Sequence, residues 1–151
     1  MLAGVISGEL YNAKELETEL VRMGHSLFLK TDAELILHAY AAWGDDFVTH
    51  LNGIFSLAIT DGERVIAARD RLGIEPLFYS HTASGAVFAS EMKGVMAFRG
   101  VTPTMDQQGL LELIAIGPAH TPGKTPLRDI QELPGGHLLI LKGRECAVRC
   151  V

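Results

Sequence analysis

Residues 55–68, FSLAITDGERVIAA, carry the pattern on which the fold prediction rests. Every second residue from Phe55 to Ile59 is apolar, and this alternation is typical of a strand with one face in a core. Asp61-Gly62 follows directly, and this dipeptide favours a tight two-residue hairpin turn. Val65–Ala68 supplies a returning strand. We therefore predict an antiparallel hairpin at the centre of the fold.

One strand and two helices are predicted before this hairpin. Asn12 with Glu15, and Thr31 with Glu34, each have the spacing of a capping box at a helix N-terminus. Apolar residues at helical spacing follow both caps, and glycines 24 and 44 end the two runs. The predicted order is a strand at Val5–Tyr11, a helix from Asn12, a short extended piece at Leu27–Lys30 and a helix from Thr31.

Two further hairpins and two helices are predicted after it. The remaining elements are a loop at Arg69–Pro76, strands at Leu77–Ser80 and Ala86–Ala89 around Ser84-Gly85, a short helix capped by Ser90, a helix over 106–116 closed by Gly117-Pro118, and strands at Gly136–Leu141 and Glu145–Val151. No repeat or linker interrupts the series. The sequence thus predicts one α+β domain over residues 1–151 with mostly antiparallel sheets.

Composition excludes several classes of partner. The net charge is −5, from 13 basic and 18 acidic residues, and no basic run is present, so nucleic acid is not an expected partner. No stretch is long and apolar enough for a bilayer span, and Met1–Ser7 has no charged region typical of a signal peptide. We therefore expect no membrane association and a cytoplasmic location.

Cysteines and histidines give no sign of a metal site. The six histidines show no pair at helical ligand spacing, so no metal is expected. Cys146 and Cys150 are the only cysteines. A cytosolic chain would keep both reduced, and neither has a neighbouring His that would support catalysis. We interpret both as ordinary residues of a terminal strand.

Several segments, in order, resemble the glutamine amidotransferase domain of the asparagine synthetase family. The longest runs from Ala68 to Tyr79, ARDRLGIEPLFY. The other segments are VISGELYN at 5–12, TDAE at 31–34, LNGIFSLAI at 51–59, FASEMK at 88–93 and LPGGH at 133–137. Together they cover essentially the whole chain.

The resemblance implies a partial αββα sandwich of the N-terminal-nucleophile hydrolase type. In this class II family an N-terminal Cys attacks the side-chain amide of glutamine, with its own α-amino group as the base. Glutamate and ammonia are released, and a synthetase domain uses the ammonia to amidate aspartate that ATP has activated. Glutamine is therefore the expected ligand. No cofactor is expected in residues 1–151, because ATP and magnesium belong to the synthetase domain.

Four residues match the family's glutamine site. Its Asn-Gly oxyanion motif falls on Ser7-Gly8, where the Gly8 backbone N–H is a suitable donor and Ser7 replaces an Asn whose amide donates a hydrogen bond. Glu9 and Asp32 match residues that hold the α-amino end of glutamine. Without the resemblance, the residues favour structural roles: Glu9 is a solvated strand residue, and Asp32 is a favourable charge at a helix N-terminus. Arg69-Asp70-Arg71 is interpreted as a structural loop.

The family's nucleophile has no match. Residues 1–151 begin Met1-Leu2, where Leu2 has no nucleophilic atom, and Ser7 has no free α-amino group beside it as base. We therefore expect a domain that is N-terminally incomplete and inactive alone, with unpaired strand edges and uncovered apolar faces. A complementing N-terminal segment, a synthetase domain or a second copy of the chain would cover them.

Two alternatives remain open. One is a non-catalytic module that senses glutamine or binds a protein partner. The other is a different amidotransferase of the same class, one that makes glucosamine phosphate or phosphoribosylamine, although the segment from Arg69 to Tyr79 favours the asparagine branch. Saturable glutamine binding by an intact native protein that consists of just these 151 residues would favour the sensing module.

Overall fold

The computed structural model describes residues 1–83, 85–117 and 121–151. These residues form eight strands, four α-helices and one 3₁₀ segment. In chain order they are β1 (Ala3–Leu10), α1 (Ala13–Arg22), α2 (Asp32–Trp43), the 3₁₀ segment (Gly44–His50), β2 (Gly53–Thr60), β3 (Arg64–Arg69), β4 (Phe78–Thr82), β5 (Gly85–Ala89), α3 (Met92–Met96), α4 (Gln107–Ile116), β6 (Gln131–Glu132), β7 (His137–Lys142) and β8 (Glu145–Cys150).

Two antiparallel sheets form the centre of the molecule. One has five strands in the order β1-β2-β3-β7-β8, and the other has three in the order β5-β4-β6. The predicted hairpin is present, with Leu57 opposite Ala68 and Ile59 opposite Ile66. The α+β prediction with antiparallel sheets is confirmed.

Two apolar layers hold these elements together. One face of the five-stranded sheet packs on α1 and α2 through a cluster that includes Leu16, Leu35, Phe47 and Leu138. The opposite face meets the three-stranded sheet through residues that include Leu77 and Leu139. Because strand side chains alternate between faces, the same sheet supplies both layers.

Three local predictions are wrong. Asn12 precedes α1 but its side chain makes no capping bond; instead Nδ2 donates to the His50 carbonyl and Oδ1 accepts from the Asn52 N–H, both at 2.9 Å. These long-range bonds replace the local cap. The N-cap of α3 is Glu91 rather than Ser90. Residues 27–30 are not one extended piece, because the chain bends at Phe28 and Leu29, and Lys30 has a φ of 53°. The N–H groups of residues 28–30 bond to the Glu34 carboxylate.

The Thr31 cap and the two C-terminal elements agree with prediction, whereas the Glu34 side chain accepts from the N–H groups of residues 28–30 in place of the reciprocal bond of a capping box. The Thr31 hydroxyl accepts from the Glu34 N–H at the start of α2. Asp106 caps α4 by accepting from the Gly109 N–H at 2.9 Å. The β7–β8 hairpin turns at Gly143. Ser84 of the predicted β4–β5 turn, Pro118 and His120 lie outside the described residues.

The edge strand β1 and the helix α4 each leave an apolar surface of the described chain open. β1 pairs with β2 along one side only, and Val5 on this strand is 68% exposed. Helix α4 also presents apolar side chains to solvent, among them Leu111 and Ile114. Open edges and apolar faces of this kind were expected from the sequence, whereas the second copy or added segment that would cover them stays a prediction.

Candidate functional site

Gly8 lies within β1 with a positive φ of 101°. A Cβ atom added there would lie 2.1 Å from the carbonyl oxygen of Ile54 on the paired strand. Both the dihedral angle and the close approach of β2 therefore require glycine. The adjoining Ser7 and Glu9 side chains are exposed, so this stretch of the edge strand is accessible to a ligand.

Asp32 is brought to the end of the same strand. It is the first residue of α2, and its Oδ2 accepts a hydrogen bond from the Leu10 N–H at 2.9 Å. The Thr31 cap fixes the start of the helix, whose positive N-terminal end favours a carboxylate. The structure thus places Asp32 next to Leu10, the residue that directly follows the Ser7–Gly8–Glu9 stretch, although 22 positions of sequence separate Leu10 from Asp32.

The linker before Asp32 is held by one carboxylate. Glu34 accepts from the N–H groups of Phe28, Leu29 and Lys30 at 2.8, 2.8 and 2.7 Å. These bonds lower the pKa of Glu34 below its ordinary value, and the bond from Phe28 has the largest effect. The linker therefore has a defined path into α2 although it has no regular secondary structure.

Glu9 is exposed on β1. Within the described residues its carboxylate has no hydrogen-bond or ion-pair partner. The structure brings it near Asp32 only through the backbone, because Leu10, the next residue, bonds to Asp32. Its assignment to the glutamine site stays a prediction.

Ser7 contacts Glu75, a residue that the sequence did not predict to be part of the site. Its hydroxyl donates to Oε2 of Glu75 at 3.1 Å, across 68 positions of sequence. Ser7 also lines a groove of about 200 Å³ between the two sheets, with Leu77 and Phe88 among the apolar residues on its walls. The sequence carried no signal for the Ser7–Glu75 contact, because it depends on how the loop after β3 folds back toward β1.

Arg69 organises that loop. It is 7% exposed, and it donates to the carbonyl oxygens of Gly73, Glu75 and Leu133 and to the Glu132 carboxylate, all at 2.6–2.7 Å. These contacts agree with the prediction that Arg69-Asp70-Arg71 forms a structural loop.

Asp70 adds a second set of bonds within the loop. It is 2% exposed and accepts from the backbone N–H groups of Leu72, Ile74 and Glu75. Charged groups this deeply buried are normally satisfied by several hydrogen bonds, as here. Arg69 and Asp70 are therefore structural, and their effect on the site is to place Glu75.

A cleft larger than the groove at Ser7 lies elsewhere in the described chain. It measures about 580 Å³ and is lined by residues that include Tyr11, Asn52, Arg71 and Leu72. None of the four predicted glutamine-site residues lines it. Cleft size alone would therefore have directed attention away from β1.

Both cysteines are remote from this site. They lie on β8, which is the opposite edge strand of the five-stranded sheet from β1. Four strand spacings separate the two edges, roughly 19 Å. Partial burial also raises the pKa of the Cys146 thiol, which disfavours the nucleophilic thiolate.

The structure pairs two histidines that are distant in sequence. Nδ1 of His25 and Nδ1 of His38 are 2.9 Å apart, between the end of α1 and the middle of α2. Spacing along the chain could not reveal this contact. Among residues 1–83, 85–117 and 121–151 no group of three or more His, Cys, Asp or Glu side chains is arranged to hold a metal ion.

No helix in the described part of the chain combines the length and apolarity that a bilayer crossing requires.

Comparison with known proteins relates the chain to a glutamine amidotransferase domain family and to asparagine synthetases. Residues 2–149 match the family model described as a glutamine amidotransferase domain. Asparagine synthetase [glutamine-hydrolyzing] 3 of Bacillus subtilis is 41% identical over 137 residues, covering 89% of this chain and 22% of that protein. Asparagine synthetase [glutamine-hydrolyzing] 2 of the same organism is 35% identical over 143 residues, covering 89% and 19%. The chain therefore spans about a fifth of the length of these relatives.

Solved structures support the fold. Glutamine phosphoribosylpyrophosphate amidotransferase from B. subtilis superimposes with a TM-score of 0.69 at 20% identity, covering 99% of this chain and 29% of that one. A glutamine aminotransferase class-II domain protein from Silicibacter pomeroyi gives 0.56 at 16% identity, covering 99% and 67%. These similarities confirm the predicted N-terminal-nucleophile hydrolase fold. The family match over residues 2–149 shows that the chain belongs to the class II glutamine amidotransferase domain family, and the curated relatives described above are asparagine synthetases.

Proposed function

We propose that residues 1–151 supply the glutamine-binding part of an amidotransferase that provides ammonia for asparagine synthesis. The observation that carries this proposal is the bond from the Leu10 N–H to Asp32, which joins the end of β1 to the start of α2. It brings together two sequence segments that match the same site in the family. The curated relatives, which are asparagine synthetases, favour aspartate as the final acceptor.

Each residue has a role that its chemistry allows. The Gly8 N–H is the donor for the oxyanion that forms when the carboxamide carbon is attacked. Asp32 and Glu9 receive the α-ammonium group of glutamine through charge-assisted hydrogen bonds. The overall reaction converts glutamine and water into glutamate and ammonia. ATP and magnesium would act only in a synthetase domain that takes up the ammonia.

A further question is which group would attack the carboxamide of glutamine. The two cysteines lie on the far edge of the sheet, and the Ser7 hydroxyl is bonded to Glu75. We therefore propose that residues 1–151 alone bind glutamine without hydrolysing it. A Cys-initiated N-terminal segment of the kind the family has would supply the attacking thiolate.

Calorimetric titration of the purified chain with glutamine tests the binding. Saturable binding is expected, and Asp32→Asn should weaken it by about tenfold or more, since one charged hydrogen bond contributes about 1.5–3 kcal/mol. Asp129→Asn is the matched control, because it makes the same change at an exposed carboxylate before β6. Equal affinities for the wild type and Asp32→Asn would contradict the proposed site.

Release of glutamate and ammonia tests whether residues 1–151 alone hydrolyse glutamine. The chain alone should show no turnover, and fusion to a Cys-initiated N-terminal segment should restore it. Glutamine binding that never leads to turnover after the fusion would favour the glutamine-sensing module instead.

A further inference from the structure

The Ser7 hydroxyl donates its hydrogen to Glu75. A hydroxyl group has one hydrogen and two acceptor lone pairs. In the structure the hydrogen is directed to Oε2 of Glu75 at 3.1 Å. The atoms left free on this pair are the Ser7 lone pairs and the remaining carboxylate lone pairs. Toward a ligand, Ser7 and Glu75 together therefore present only acceptors.

Glu75 is fixed in place by its own backbone. Its N–H donates to Oδ2 of Asp70 at 3.0 Å, and its carbonyl accepts from Nε of Arg69 at 2.6 Å. Both partners are buried. The carboxylate therefore extends from an anchored point toward β1 and is not the end of a loose surface loop.

The Ser7–Glu75 pair lies next to Gly8, the residue assigned to the oxyanion. Ser7 directly precedes Gly8, whose N–H is assigned to the oxyanion, so the two ends of a bound carboxamide would meet neighbouring residues. Ser7 also lines the groove between the sheets, where Leu77 and Phe88 are suited to aliphatic carbons. A carboxamide has an acceptor oxygen and an NH₂ group with two donors. The acceptor-only pair is complementary to the NH₂ group.

We propose that Ser7 and Glu75 form the subsite for the amide nitrogen of the substrate, and that Glu75 makes the site select glutamine over glutamate. This inference rests on the proposed glutamine site. Glutamate has the same length as glutamine but ends in a second carboxylate, which has no hydrogen to donate and is repelled by Glu75. The same repulsion favours departure of the product after hydrolysis.

The test is the ratio of two dissociation constants, measured by calorimetric titration of the whole chain with glutamine and with glutamate. In the wild type glutamine should bind more tightly. Glu75→Gln keeps the size of the side chain and removes its charge, so the preference should fall by about tenfold, mainly through tighter glutamate binding. Ser7→Ala should weaken glutamine more than glutamate. Glu63→Gln, an exposed carboxylate in the β2–β3 turn, is the control and should leave the ratio unchanged.

The outcomes separate this inference from the proposal on which it rests. Glutamine binding that depends on Asp32, together with an unchanged ratio in Glu75→Gln, would overturn the subsite alone. Absence of glutamine binding in the wild type would overturn the glutamine site and the subsite together. A fall in the ratio that weakens at high salt would support the electrostatic origin. Thermal melts of all variants establish that each is folded.

Discussion

Oδ2 of Asp32 accepts a hydrogen bond from the backbone N–H of Leu10 at 2.9 Å and so links helix α2 to the open edge strand β1. Asp32→Ala would leave this partly buried N–H without its acceptor, and we expect a loss of about 1–2 kcal/mol in the free energy of unfolding. Asp32→Asn keeps an acceptor oxygen and should lose less. Urea denaturation measures both, and amide exchange at Leu10 should accelerate in Asp32→Ala.

Gly8→Ala should destabilise the edge strand for two separable reasons. The residue has a φ of 101°, and the added methyl group would meet the Ile54 carbonyl at 2.1 Å. Gly24→Ala is the matched control, since its φ is 94° but nothing lies within 4 Å of the new atom. The positive φ alone should cost on the order of 1 kcal/mol. Equal losses in the two variants would show that the close approach of β2 contributes nothing.

Arg69→Met should be among the most damaging substitutions in the chain. It removes the buried ion pair with Glu132 and the donors to three backbone carbonyls. Losing one partner of such a pair typically costs about 3–5 kcal/mol. Arg71→Met, at an exposed position in the same loop, should change stability by no more than about 0.5 kcal/mol. Similar denaturation midpoints would refute the structural role of Arg69.

Glu34 should contribute a pH-dependent part of the stability. Three backbone N–H groups lower its pKa in the folded chain below the ordinary value of 4.5. The contribution is therefore full above about pH 4.5 and is lost as the pH falls through the lower, folded pKa. The stability difference between wild type and Glu34→Gln should be constant near neutral pH and shrink in acid. A difference that grows in acid would contradict this sign.

Replacing both cysteines should leave the glutamine site intact. Cys146 and Cys150 lie on β8, at the other edge of the sheet from Ser7. The double variant Cys146→Ser/Cys150→Ser is expected to bind glutamine with unchanged affinity. A large loss of affinity in a folded sample would mean that β8 contacts the ligand.

Local sequence signals were sufficient for most of the strands. The hairpin at Asp61-Gly62 is formed by residues next to each other, so its turn chemistry and alternation predict it directly. The cap predicted at Asn12 failed because its side chain found partners near residue 50 instead. β6 has only two residues and no periodicity, and it exists because Phe78 and Tyr79 of β4 offer it a partner.

The candidate site was predictable only in part. Gly8 and Asp32 are assigned to the site only by the family resemblance, and the structure joins the end of β1 to the start of α2 through Leu10 and Asp32. Glu75 was not identified, because its contact with Ser7 depends on the Arg69 and Asp70 bonds that fold the loop. The contact between His25 and His38 was also not predicted, because it is created by packing of α1 against α2. Contacts across tens of residues leave no periodic trace in a sequence.

The order of strands in the larger sheet affects how the chain folds while the ribosome synthesises it. β3 lies at its centre, yet its second partner is β7, and Val65 pairs with Leu141. During synthesis β1, β2 and β3 can pair as soon as they emerge, but the free side of β3 must wait until β7 has been synthesised. Pairing over such separations is slow, and exposed strand edges invite aggregation. Chaperone dependence of the nascent chain should therefore end only when the β7–β8 hairpin has left the exit tunnel.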